Sequence, residues 1–130
     1  MTNQIDEHTA ENPGVMDWSV LDGLKAMQRA GRPDIRKTLM TSYLGSIPAL
    51  MEGAKAALSA ADGNALRNTA HSMKSSSRAI GAMLFGNTCA ELELLGKNNT
   101  LEAAPALLAR AEKELADTCA ALRTTLECGE

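Results

Sequence analysis

The chain has 130 residues, a formal net charge of −3 and a sequence pI of about 5.4. That length suits one domain able to bury a core without disulfides or metals. One Trp, one Tyr and one Phe stand among abundant Ala, Leu and Met, which disfavours a β-sandwich and describes helices meeting through aliphatic side chains. The acidic balance argues against nucleic acid as the main partner, because binding a phosphate backbone needs a clustered cationic surface.

Residues 1–16 are polar and acidic with no apolar run, so they read as a disordered tail or linker and not as a signal peptide; no stretch of the chain approaches a membrane span. His8 falls in this tail and is assigned no role. Asp17 is placed to cap a first short helix reaching about Arg29, with Met16 and Leu21 forming a hydrophobic staple across the cap. Pro33 suits the first turn of a second helix running towards Ala60. Ile35, Leu39, Tyr43, Ile47, Leu50, Ala54 and Ala57 give that helix a buried stripe, which Met40, Leu44, Met51 and Leu58 widen to about half the circumference. Pro48 cannot donate to the Leu44 carbonyl, so a kink or break is expected near residues 45–48.

After a short connection at Asp62, Gly63 and Asn64, a third helix runs to about Ile80, where Gly81 either stops it or permits close packing. A fourth covers about residues 82–96, with Leu84, Thr88, Leu92 and Leu95 facing inward and residues 96–99 as a turn. Thr100 caps the last helix, or Pro105 begins it; Leu108, Ala111, Leu115, Thr118 and Leu122 repeat along it at spacings of three and four. The fold expected is all-α, an antiparallel up-down four-helix bundle with a short N-terminal lid helix. Cys89, Cys119 and Cys128 have neither CxxC spacing nor a disulfide framework, and the odd count leaves at least one thiol free, which fits a reducing cytoplasm.

The third helix carries the chemistry. At roughly 100° per residue, Leu66, Ala70, Met73, Ser77, Ile80 and Leu84 share one narrow arc, and His71 points the other way. Arg67, Lys74, Ser75 and Arg78 stand at i−4, i+3, i+4 and i+7 from it on the same surface. A dianion attached to that imidazole would meet positive charge. Ser72, Ser76 and Ser77 form a run better explained by close helix packing than by nucleophilic catalysis, which needs a base and an orienting partner.

His71, Met73, Lys74, Ser75, Ser76, Ile80 and Gly81, followed by residues 89–95, resemble the motif of the histidine-containing phosphotransfer (HPt) family over residues 17–127. Ser75 stands where many members have Gly. The resemblance implies an HPt domain at residues 17–128 that accepts a phosphoryl group on His71 from a receiver-domain aspartate and passes it to another receiver aspartate. Lys74, Ser75, Arg67 and Arg78 would neighbour the phosphate. Glu93, at i+22, would orient the ring through the nitrogen that is not phosphorylated. Lys97, at i+26, is either auxiliary charge or a turn lysine.

The partners implied are response-regulator receiver domains and a hybrid sensor histidine kinase. Neither nucleic acid nor membrane insertion is expected, and the protein is read as a monomer in the cytoplasm. It would be a phosphocarrier without intrinsic kinase activity, holding no cofactor or metal; Mg²⁺ belongs to the partner receiver. A kinase dimerisation helix would show His-Glu and a downstream Pro, whereas Ser72 follows His71, and no glycine-rich nucleotide fingerprint appears. The alternative is a non-catalytic helical module that binds a receiver domain or enzyme to regulate it.

Overall fold

A computed structural model describes residues 14–128, and the described residues are entirely helical. Most of the expected tail, with His8, lies outside them. Residues 14–16 belong to the folded domain: Met16 is buried, Val15 packs on the core, and the Gly14 carbonyl accepts the Leu84 N–H at 2.7 Å.

Helix α1 (Trp18–Asp22) is capped by Asp17, whose carboxylate accepts the Ser19 N–H at 3.1 Å. Met16 and Leu21 are both buried across this cap, as the staple requires. The α-helix does not reach Arg29; it tightens into a 3₁₀ segment, Gly23–Met27. The Gln28 side chain then organises the connection, donating to the carbonyls of Arg29, Arg32 and Pro33 and accepting the Ile35 N–H at 2.7 Å.

Helix α2 (Ile35–Ser59) starts two residues beyond Pro33, because Asp34 is the cap and accepts the Arg36 and Lys37 N–H groups. It runs through Pro48 without a break. Pro48 faces solvent, on the side of the helix opposite the core, while Tyr43, Ile47 and Met51 are buried on both sides of it. Leu39, expected in the stripe, is exposed, and Met40 takes the buried place instead. The widened arc is covered: Met40 and Met51 are buried, and Leu44 and Leu58 pack against the core.

Helix α3 (Gly63–Ala79) is capped by Asp62, which accepts the Ala65 N–H at 3.0 Å. Leu66, Ala70, Met73, Ser77 and Ile80 are all buried, as the arc predicts. Leu84, assigned to the same arc and to the inner face of the next helix, is exposed at that helix's first turn beside Gly14, and Phe85 fills the core. Gly81 serves both expected purposes. It has φ +90°, its carbonyl accepts the Asp17 N–H at 2.7 Å, and a Cβ there would collide with the Asp17 carbonyl.

Helix α4 (Met83–Asn98) extends through the expected turn and ends at Asn99 in the left-handed conformation. Helix α5 (Ala104–Glu127) has no side-chain cap, so Pro105 near its start is realised and a Thr100 cap is not. Each long helix packs on the next and α5 returns against α2, closing a ring around the core. Lys55 ties α2 to α5 through Glu112 at 2.6 Å, and Arg110 ties α5 to α4 through Glu91 at 2.9 Å. All three cysteines are free; burial pushes the Cys89 thiol up to about 12 and Cys119 upward, which suits packing and not reactivity.

Candidate functional site

Helices α3 and α4 form the site because their backbones touch. A Cβ at Gly96 would lie 2.6 Å from the Gly63 carbonyl and 2.7 Å from the Arg67 nitrogen; one at Gly63 would lie 2.8 Å from the Gly96 carbonyl. Two glycines thus face each other where the helices cross. Gly96 is one turn beyond Glu93, so this contact fixes the height of Glu93 against His71. Sequence reasoning places Gly63 in a connection and Gly96 in a turn, and so misses both. A second buried contact steadies α3 from the other side, where the Tyr43 hydroxyl and Ser77 Oγ are 2.7 Å apart. Ser77 is therefore a bonded core residue within the serine run.

His71 stands on the outer face of α3, its side chain 59% exposed. Its Nδ1 is 2.9 Å from Glu93 Oε2, so the ring is held from the edge that a carboxylate can reach. A carboxylate accepts, so Nδ1 carries the proton and Nε2 is the unprotonated nitrogen of the neutral ring. Nε2 has no hydrogen-bond partner among the described residues. The other Glu93 oxygen, Oε1, is 2.6 Å from Lys74 Nζ. One carboxylate thus joins a histidine and a lysine one helical turn apart, an ion pair that helical spacing alone does not anticipate. A signal for it exists: His71 and Lys74 at i and i+3 face the same way, so an acid opposite one is within reach of the other.

The Lys74 ammonium, with His71 beside it, holds the Glu93 carboxyl below the usual carboxylate range against a partial burial that pushes it up. A carboxyl whose folded pKa is depressed contributes stability above its unfolded pKa, and that contribution is lost as the pH falls through the folded value. Replacing Glu93 with Gln is therefore expected to make acid unfolding less steep as the pH falls below the ordinary glutamate range, measured by helical circular dichroism. An unchanged acid limb would count against the linkage.

The other site residues are placed as follows. Ser75 is exposed next to Lys74. Arg67 is exposed one turn before His71, and Lys97 is exposed at the end of α4; none of the three makes an ion pair or side-chain hydrogen bond among the described residues. Arg78 is engaged elsewhere: its guanidinium donates to Asn87 Oδ1 at 2.9 Å, and its stem lies over Gly86. No group of three or more metal-ligating side chains occurs among the described residues.

Fold and site together define a helical carrier: the His71 imidazole is presented to solvent, its Nδ1 steadied by a carboxylate, with cations on the same face. The family model described as Hpt domain matches residues 38–125. Among solved structures, the chain is similar to histidine-containing phosphotransfer protein B (HptB) from Pseudomonas aeruginosa PAO1, at 32% identity and a TM-score of 0.78 over 85% of this chain and 93% of that one. No curated protein matches the chain. The chain belongs to the Hpt family and is a histidine phosphotransfer intermediate of phosphorelays. Proteins of this family interact with receiver domains and kinases. No helix among the described residues is long and apolar enough to cross a membrane.

Proposed function

We propose that His71 is the phosphoacceptor, taking a phosphoryl group at Nε2 from a receiver aspartyl phosphate and passing it to a second receiver aspartate. The observation that carries this reading is the pairing of an exposed ring with a carboxylate on Nδ1, because it leaves one nitrogen nucleophilic and directed outward. Phosphoryl transfer depends on in-line positioning and charge stabilisation more than on covalent machinery, so a domain that presents the nucleophile is sufficient. Mg²⁺ is supplied by the partner receiver.

Lys74 and, more loosely, Arg67, Ser75 and Lys97 flank the incoming group; the engagement of Arg78 with Asn87 makes it the weakest member of the set. The ring of long helices supports an up-down antiparallel four-helix bundle, with α1 and the 3₁₀ segment as its lid. We read the protein as a cytoplasmic monomer with no kinase activity of its own, its phosphate coming from a hybrid sensor kinase by way of a receiver.

Incubation with ATP alone is expected to leave the protein unlabelled, whereas a phosphorylated receiver labels it with an acid-labile, base-stable group. Lys74→Ala is expected to slow that transfer by roughly tenfold or more without changing helicity, given that positioned charge supplies much of the stabilisation in phosphoryl transfer. Labelling from ATP alone would favour a kinase fragment. Unchanged transfer kinetics in Lys74→Ala would remove that residue from the site.

A further inference from the structure

The carboxylate of Glu93 is shared between the ring and Lys74, and the two halves of that arrangement respond differently when a phosphoryl group arrives. We propose that Glu93 is a positioning residue that weakens the hold of His71 on its phosphoryl group by retaining Lys74, and so biases the domain towards passing the group on. This rests on His71 being the acceptor. In the acceptor step the Nε2 lone pair forms the N–P bond. The bond from phosphorus to the donor atom breaks, its electron pair leaves with the donor, and Nδ1 keeps its proton. The ring is then formally cationic beside the Glu93 carboxylate 2.9 Å from Nδ1. Reversal returns the electron pair to Nε2 and again moves no proton.

The carboxylate therefore steadies the cationic ring while standing beside a phosphoryl group of like charge, and these two effects oppose each other. What remains is Lys74. In the unphosphorylated protein its ammonium is held at 2.6 Å on Oε1, with both side chains only about a fifth exposed. A phosphoryl group on His71 competes with that oxygen for the ammonium, drawing Lys74 off it or sharing it, and either outcome makes the phosphorylated state less favourable than a free lysine would allow. A Gln at 93 would still accept from Nδ1–H but would offer Lys74 no anion, leaving the ammonium to the phosphoryl group. The notion of the carboxylate as a mere tautomer lock makes no such distinction between Glu and Gln.

The test is a double-mutant cycle on the full chain, using phosphoramidate as the phosphoryl donor. Nε2 attacks its phosphorus and ammonia leaves with the electron pair, so the ratio of phosphorylated to free His71 at fixed ammonia and phosphoramidate, read by ³¹P NMR, reports the equilibrium without a receiver. Glu93→Gln is expected to raise that ratio roughly threefold to tenfold when Lys74 is present, the scale of one partly exposed ion pair. In a Lys74→Met background the same change should move it less than about twofold. No rise with Lys74 present, or an equal rise in both backgrounds, overturns the proposal. A label that persists in His71→Gln is a different failure, that of the acceptor assignment itself.

Discussion

Replacing His71 with Gln is expected to abolish receiver-dependent phosphorylation altogether while leaving the helical circular dichroism and the melting temperature close to those of the parent protein. The ring is largely exposed and contributes nothing to the core, so its loss costs little packing; its Nδ1 contact to Glu93 is a surface interaction of the kind that contributes at most about 1 kcal/mol. Gln has no nitrogen that can carry a phosphoryl group. Lys74 and Glu93 would still pair, so the local charge arrangement survives the substitution. The measurement is radiolabel transferred from a phosphorylated receiver, with the unfolding curve recorded in parallel. Undiminished labelling of His71→Gln would move the acceptor elsewhere.

The second large effect is expected at Gly96, which touches no substrate. A methyl group there has to displace backbone atoms, the Gly63 carbonyl and the Arg67 nitrogen, and neither can rotate aside as a side-chain tip could. Overpacking of this kind costs about 1–3 kcal/mol, enough to outweigh the gain in helix propensity of up to about 1 kcal/mol that Ala has over Gly. Gly96→Ala should accordingly lose up to about 2 kcal/mol net and lower the melting temperature by up to roughly 8 °C. It should also slow phosphoryl transfer, because parting α3 from α4 draws Glu93 away from His71 and Lys74. Gly45 provides the control. It lies inside α2 with nothing near its missing Cβ, so Gly45→Ala should raise stability slightly and leave transfer unchanged. If both alanine variants were equally stable, the crossing of α3 and α4 would not be the tight contact described.

The third helix was legible because its residues obey one local rule. A period near 3.6 put Leu66, Ala70, Met73, Ser77 and Ile80 inside and His71 outside, and every one of these assignments agrees with the burial observed. The cap at Asp17 was legible for the same reason, since a carboxylate that accepts an N–H two or three residues on is an interaction the chain makes with itself; Asp62 caps α3 in the same way, although the sequence reading left it in a connection. The errors cluster where the outcome depends on a neighbour. Pro48 suggested a kink or a break; there is no break, and α2 is continuous through it with packed residues on both sides. Leu39 fits the stripe and is exposed, whereas Met40 beside it is buried. Leu84 satisfies the period but sits exposed at a helix start beside Gly14.

Composition and periodicity alone determined a helical domain with His71 exposed among cations, because those properties depend on residue types and on spacings within a single helix. The placement of Glu93 beside the ring, 22 residues along the chain, was expected from a family pattern and was beyond the reach of periodicity, since spacing says nothing about how one helix is set against another. Only the tertiary structure decided that both oxygens of this carboxylate are used, one by His71 and one by Lys74, and that Arg78 is given to Asn87. The physical reason lies in the contact of Gly63 with Gly96. Two missing side chains allow α3 and α4 to approach until their backbones touch, and that approach sets the height and distance at which residues from two separate helices become one site.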